Sequence, residues 1–443
     1  MSSRISLQEY SVSDVGEIDG LVSRIRGKVE ERNLLSATVS DIISSVEQGG
    51  DASLLELSRK YDRSSFSKPG ELFVKKEEFE AARSRLGNSK VSAFKLAYRQ
   101  IRFIARKQMN RFKETRYRTP LGFVVRERFL PLERVAGYVP GGLASYPSTV
   151  LMICGPAREA GVRDIVIITP PRNDGSVSES VLVTAEICNV KHVIKLGGAQ
   201  AIAALACGTE SIKKADLIAG PGNRYVTEAK RQVSSSGKVS IDALAGPTEL
   251  LIIADRNADV EDVFEDIISQ AEHGNRTLCG VVSDSKELIE QLKERFKTAG
   301  ERKRVEEIKQ STICAVRTRS VNHSIQFAQA FAPEHLELLV SNPGKIERRI
   351  TRSGLVLLGR YAPCSASDYV VGTDHILPTG GLASRFAGVS VESFLRRNTC
   401  VESTRRALSN SLSTLSTIAE LEGLPNHAEA ANSRFGERKR NQK

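Results

Sequence analysis

The sequence predicts an α/β protein with two Rossmann-like, incomplete doubly wound α/β domains and helical N-terminal and C-terminal extensions. Three observations predict it. From residue 134 onward, short apolar runs alternate with helical stretches. The alternation occurs in two successive series of similar size, each implying a parallel sheet with crossover helices. Both ends of the chain show helical rather than strand-like periodicity.

In chain order, residues 1–60 read as helical, because Ile18, Leu21, Ile25 and Val29 recur at helical spacing. Residues 90–118 read as one long amphipathic helix. Its apolar stripe is Val91, Phe94, Tyr98, Ile101, Ala105, Met109 and Phe112. In the first alternating series, strands are expected at 164–169, 192–196 and 216–219, with helices at 177–188, 199–207 and 225–233. The second series starts near Leu250-Leu-Ile-Ile-Ala254 and continues through strands near 278–283, 312–317, 336–340 and 354–358. From about 391 the strands are expected to stop. A helical tail with no core of its own follows, and its polar end, Arg434–Lys443, is expected to fray.

Composition narrows the function classes. With 40% apolar and 26% charged residues, the 443-residue chain is neither collagen-like nor largely disordered. No apolar run approaches the ~18 residues of a membrane span. The start, Met1-Ser-Ser-Arg-Ile, lacks the apolar stretch of a signal peptide, so the chain reads as cytoplasmic. Its seven cysteines come no closer than 19 residues, which excludes a paired-cysteine metal knuckle or redox motif. Most are expected as small buried hydrophobes. Residues 90–118 carry +9 of the net charge of +11. Phe94, Tyr98, Phe103, Phe112 and Tyr117 interleave with those charges, as on a nucleic-acid surface. Most of these rings fall on the apolar stripe, which favours core packing beneath a solvated basic face, and no nucleic acid is expected.

Three glycine turns follow predicted strands or open helices: Tyr138-Val-Pro-Gly-Gly142, Gly197-Gly-Ala-Gln200 and Gly220-Pro-Gly-Asn223. Such turns let backbone N–H groups approach a phosphate or dinucleotide. The usual dinucleotide fingerprint is absent, because Tyr225 stands where a third small residue belongs. Five of the six histidines lie beyond residue 270, and several adjoin other chemistry-bearing groups. Gln270 and His273 are neighbours near the end of a helix expected over Val260–Gly274, where a protonated histidine would cap the helix dipole. Glu334 and His335 stand side by side before a strand, a pair of bases or a solvated turn. Asp368 and His375 share a glycine-containing loop, and Glu422 and His427 flank a helix break at Gly423 and Pro425. Histidine and carboxylate suit zinc, but spacing alone leaves open which of them converge.

Taken together, these blocks resemble the histidinol dehydrogenase family over about residues 30–430. The resemblance rests on Tyr138–Gly142, Gly197–Leu205, Gly220–Val233, Ser269-Gln-Ala-Glu-His273, Pro333-Glu-His-Leu336 and Gly372-Thr-Asp-His-Ile-Leu-Pro-Thr379, in family order. It implies oxidation of L-histidinol through L-histidinal to L-histidine with two NAD, the last step of histidine biosynthesis. It implies one zinc per subunit on Gln270, His273, Asp368 and His427. His335 would act as base for alcohol oxidation and Glu334 would activate water. Substrate contacts would come from Thr248, Gln270, His273, His335, Asp368, Glu422 and His427, and NAD contacts from Tyr138, Gln200 and Asn223. The family is a homodimer whose tail reaches the partner's site, so Glu422 and His427 would act in trans. Thr248 replaces a commoner serine, and Ala136-Gly137 and Ser145 also depart from the usual pattern. A related zinc and NAD dehydrogenase for another polar alcohol stays open.

The expected organisation is an N-terminal helical extension over 1–32 and a first α/β domain over 33–137 and 248–389, holding the metal and catalytic residues. A second α/β domain with the NAD turns spans 138–247. A helical tail, 390–443, crosses to the dimer partner.

Overall fold

The computed structural model describes residues 5–27, 35–141, 145–244, 246–274, 277–299 and 303–436. Val29, Gly142 and residues 437–443 of the readings above lie outside them. The chain forms two units, one of Met1–Lys107 with Leu132–Phe394 and a smaller one of Gln108–Pro131 with Leu395–Lys443.

The larger unit contains two parallel sheets. Strand β1 (Leu7–Ser11) comes first in the chain; β2 (Thr115–Arg118) and β3 (Val124–Pro131) belong to the smaller unit. Strands β4 (Arg134–Tyr138), β5 (Asp164–Thr169), β6 (His192–Lys195), β7 (Leu217–Ala219) and β8 (Ser240–Ile241) form a sheet in the order β6-β5-β4-β7-β8. Strands β9 (Glu249–Ala254), β10 (Leu278–Ser283), β11 (Thr312–Arg317), β12 (His335–Leu339) and β13 (Leu355–Leu358) join β1 in the order β1-β11-β10-β9-β12-β13. All pairings in both sheets are parallel. Apart from β1, both sheets repeat one pattern: the first strand is central, the next two step to one side and the last two to the other. That is the doubly wound order expected of this alternation.

Continuous apolar strands are buried because both sheet faces are covered. Leu250, Ile252 and Ala254 pack with Val263, Phe264 and Ile267 of helix Val260–Ala271. Leu251 and Ile253 point the other way, onto Ile18, Leu21 and Ile25 and onto Phe327 and Phe331. Each fully buried side chain of this size contributes about 1.5–3 kcal/mol.

The structure differs from the expected organisation at five places, four of them in the larger unit or at its edge. Residues 1–32 are more than a helical extension, because β1 pairs with β11 as an edge strand before the helix Ile18–Gly27. Helix Ser36–Leu57 buries Val39, Val46 and Leu54 in the core of the five-stranded sheet, not that of the six-stranded sheet. The expected boundary at 137–138 falls inside β4, the central strand of that sheet. The helix expected over 90–118 runs Asn88–Met109 and gives way to β2. Its stripe residues Val91, Ile101 and Ala105 are buried, while Phe103 is 54% exposed. Arg102 and Arg106 both bond the Glu159 carboxylate, so part of the basic face is neutralised.

In the smaller unit, β3 lies between β2 and β14 (Leu395–Glu402), all antiparallel. Strands therefore do not stop at 391. Sequence periodicity missed β14 because an exposed strand on a three-stranded sheet lacks the continuous apolar run of a buried one. Helices Arg405–Leu421 and Pro425–Asn432 follow, separated by Gly423 at φ 70° and started again by Pro425.

Candidate active site

The glycine turns sit at the carboxyl ends of the five-stranded sheet. Tyr138 ends β4, Gly197 and Gly198 follow β6, and Gly220 follows β7. Only glycine fits at 220, where φ is 116° and a Cβ would stand 2.1 Å from the Tyr138 carbonyl oxygen. Tyr138, Gln200 and Asn223 line one cavity of about 560 Å³. The Tyr138 hydroxyl accepts from Gly198 N–H at 3.2 Å, and burial pushes its pKa up. Asn223 caps helix Arg224–Ser235, accepting from Tyr225 and Val226 N–H through Oδ1.

Asp62 also lines this cavity, and nothing in the sequence pointed to it. Its Oδ2 accepts from Gly197 N–H at 3.2 Å and from Gln200 Nε2 at 3.1 Å. Gln200 therefore has its amide nitrogen held by Asp62, which fixes the orientation of its carbonyl. Burial raises the Asp62 pKa.

The acid–histidine block is placed by the other sheet, at the amino ends of its strands. Glu334 immediately precedes β12 and His335 is its first residue. Both are buried, which overturns the solvated-turn alternative. Glu334 Oε2 accepts from Glu249 N–H at 2.8 Å, beside Thr248, which precedes β9. A Cβ at residue 354 would meet the Glu334 carbonyl at 2.6 Å, so Gly354 is what lets β13 approach. His335 Nδ1 lies 3.8 Å from Glu334 Oε2, and Nε2 lies 3.9 Å from Asp368 Oδ1. Both ring nitrogens are buried without a hydrogen-bond partner among the described residues. A buried imidazole left unpaired on both nitrogens is costly, and a substrate, an ion or an ordered water would supply the partners it calls for.

Gln270, His273 and Asp368 line a second cavity, of about 580 Å³, together with Tyr146, Glu272 and Arg304. Their nitrogen and oxygen donors, with His335 orphaned beside them, fit a zinc ion. Helix Val260–Ala271 stops before His273, so His273 is not in its last turn. Burial and the Arg304 charge lower the His273 pKa, the reverse of a protonated cap. Asp368 lies not in a loop but in a short helix, Cys364–Tyr369. Its carbonyl oxygen is 3.0 Å from His375 Nδ1.

Burial dominates the electrostatics. It pulls His335 down to about 3, assisted by the charges of His375 and His273. It pulls His375 down to about 4 and pushes Asp368 up to about 7. Glu334 is raised well above the carboxylate range by burial, then by Glu249 and Asp368. Beside them, burial raises the Glu337 and Asp266 carboxyl groups as well, Asp266 to about 6. The pocket therefore holds a neutral imidazole among acids that have no matching cation among the described residues.

His427 and Glu422 lie in the smaller unit and are exposed. The two remaining histidines have structural contacts: His323 Nδ1 lies 2.9 Å from Ser320 Oγ, and His192 meets Phe73 edge-on. All seven cysteines are free, and five are buried.

Residues 25–435 match the family model described as histidinol dehydrogenase. The histidinol dehydrogenase of Methanosarcina mazei is 39% identical over 96% of this chain and 98% of its own length. That of Methanocaldococcus jannaschii is 38% identical over 95% and 96%. The crystal structure of histidinol dehydrogenase from Elizabethkingia anophelis superposes with a TM-score of 0.90 at 32% identity, covering 97% of this chain and 98% of that one.

Proposed function

The chain belongs to the histidinol dehydrogenase family, and from that premise we propose that it oxidises L-histidinol through L-histidinal to L-histidine, reducing two NAD. The observation that carries the reading is His335: buried, neutral and unpartnered, between Glu334 and Asp368.

In the first oxidation His335 takes the alcohol proton as hydride leaves the carbinol carbon for NAD. Burial holds the imidazole unprotonated, so its lone pair is free to accept the proton. Glu334 then takes a proton from water as that water adds to the aldehyde. The hydrate loses a second hydride to a second NAD and becomes the carboxylate. The raised Glu334 pKa makes it a stronger base once ionised. Tyr138, Gln200 and Asn223 receive the dinucleotide in their cavity, with Asp62 holding the Gln200 amide.

Gln270, His273 and Asp368 would hold zinc, with the partner subunit's His427 as fourth ligand. Bound there, zinc supplies a Lewis-acid anchor for the substrate's imidazole and amine. Thr248 and the partner subunit's Glu422 would complete the substrate contacts. The protein acts as a cytoplasmic homodimer. The exposed Val401, Ile418, Leu421 and Leu424 of the smaller unit, beside Glu422, support an interface. Among the described residues no helix is long and apolar enough to cross a membrane.

The test is NADH yield from limiting histidinol, with and without a chelator. Two NADH per histidinol, lost on zinc removal, is expected; one NADH overturns the substrate assignment. Mixing His335→Asn subunits with His427→Asn subunits should restore one intact site per heterodimer. No recovered activity overturns the shared site.

A further inference from the structure

We propose that Arg26 is a positioning residue for Glu334. By clamping the segments on either side of that carboxylate, it sets the direction in which Glu334 meets water in the second oxidation. The inference rests on the role given to Glu334 above and deepens it.

Glu334 is held by a backbone group, the Glu249 N–H, which donates to its Oε2 at 2.8 Å. With Oε2 held, Oε1 is left to take the proton from water. Glu249 opens β9, and its side chain is fully buried. Along β9 it shares the face of Leu251 and Ile253, which packs on helices Ile18–Gly27 and Val321–Phe331. Arg26, in the last turn of the first of these helices, meets it there. Its Nη1 donates to Glu249 Oε1, and its Nη2 lies 3.3 Å from Oε2. Such a fork fixes the plane of the carboxylate as well as its distance.

The same guanidinium holds the chain that carries Glu334. It lies 4.3 Å from the centroid of the Phe331 ring, and Nη2 donates to the Phe331 carbonyl. Ala332 comes next, with φ at 47°, in the left-handed region that few non-glycine residues occupy. A conformation of that kind persists only where its surroundings impose it. Glu334 follows two residues later. Arg26 therefore ties the Glu249 N–H to the turn that delivers its acceptor. A third segment joins them, because Gly380 N–H donates to Glu249 Oε1 at 3.2 Å.

His335 depends less on this clamp. It is the first residue of β12 and stands in register with Leu250 on one side and Leu355 on the other. The sheet ladder holds it, whereas Glu334 lies before the strand. The two oxidations should therefore respond differently to a change at Arg26.

Separate assays of the two oxidations on the full-length protein test this. Arg26→Lys keeps the charge but loses the planar fork. Its kcat for oxidation of supplied L-histidinal should fall about tenfold, part of the ~10²–10⁴ that a positioned base contributes. Single-turnover hydride transfer from L-histidinol and the KM for NAD should stay within about twofold of wild type. Arg26→Gln/Glu249→Gln leaves no buried charge unpaired, so it carries the test if Arg26→Lys does not fold. The same selective loss is expected there. Unchanged histidinal oxidation, or equal losses in both oxidations, overturns the proposal and leaves the function standing. Wild-type protein that fails to oxidise histidinal overturns the role of Glu334 itself, and the proposal with it.

Discussion

The two parallel sheets share one strand order but are used at opposite ends. In the five-stranded sheet the chemistry lies beyond the carboxyl ends: Tyr138 closes β4, and the turns at 197–200 and 220–223 follow β6 and β7. That is the usual ligand edge of a doubly wound sheet. In the six-stranded sheet Glu334, His335 and Thr248 gather where β12 and β9 begin. The sheets also differ in how they handle buried charge. In the five-stranded sheet the buried lysines are paired: Lys230 meets Asp242 and the Gly220 carbonyl, and Lys195 meets Glu78 at 2.8 Å. Around β12, Glu334, Glu337, Asp266 and Asp368 are all raised in pKa by burial. A matched interior serves a scaffold; acids without a matching cation serve a site that completes itself with a ligand.

The comparison can be broken most directly at His335. His335→Gln should lower kcat by about 10²–10⁴ while leaving the dissociation constant for NAD unchanged, since the base and the dinucleotide belong to different sheet ends. Stopped-flow hydride transfer and NAD titration measure the two separately. Next in size is the matched pair: Lys230→Ala strands Asp242 and should cost about 3–5 kcal/mol in denaturant unfolding. An equal loss from His335→Gln would erase the contrast between scaffold and site.

Asp62→Asn should raise the KM for NAD about tenfold, equivalent to about 1.4 kcal/mol, and leave the KM for histidinol alone. The substituted amide can donate to Gln200 instead of accepting from it, so the Gln200 carbonyl loses its fixed direction. Equal rises in both KM values would make Asp62 a general structural residue.

The smallest effect concerns the shared acids. The folded pKa of Asp266, about 6, lies above its ordinary value of 3.8. Its contribution to stability is therefore present below the ordinary value and lost as pH rises through about 6. Asp266→Asn should flatten this change, by about 1 kcal/mol after discounting for partial solvent exposure. Thermal unfolding at pH 4 to 8 reads it, and an unchanged pH profile would mean that Asp266 does not carry it.

Much of the five-stranded sheet was legible because its signals are local. Ile165–Ile168 within β5 is a continuous apolar run, and glycine after a strand is a local requirement for a tight turn. The catalytic edge was legible only as residue types. Neither periodicity nor spacing says that Asp368 will lie 3.9 Å from His335, or that the imidazole will be buried. Asp62 carries no local signal, because the Gly197 N–H it accepts from is 135 residues away in the chain and only the fold brings them together.

The sequence by itself determined the elements: two α/β series, their buried strands, the three glycine turns and the late cluster of histidines. These are properties of neighbours along the chain, governed by side-chain period and backbone freedom. Tertiary structure decided which sheet each flank joins, which ends of the strands meet the cavities, and how burial shifts His335 and the surrounding acids in opposite directions. Those depend on what water is excluded from, and exclusion is set by groups hundreds of residues apart in the chain.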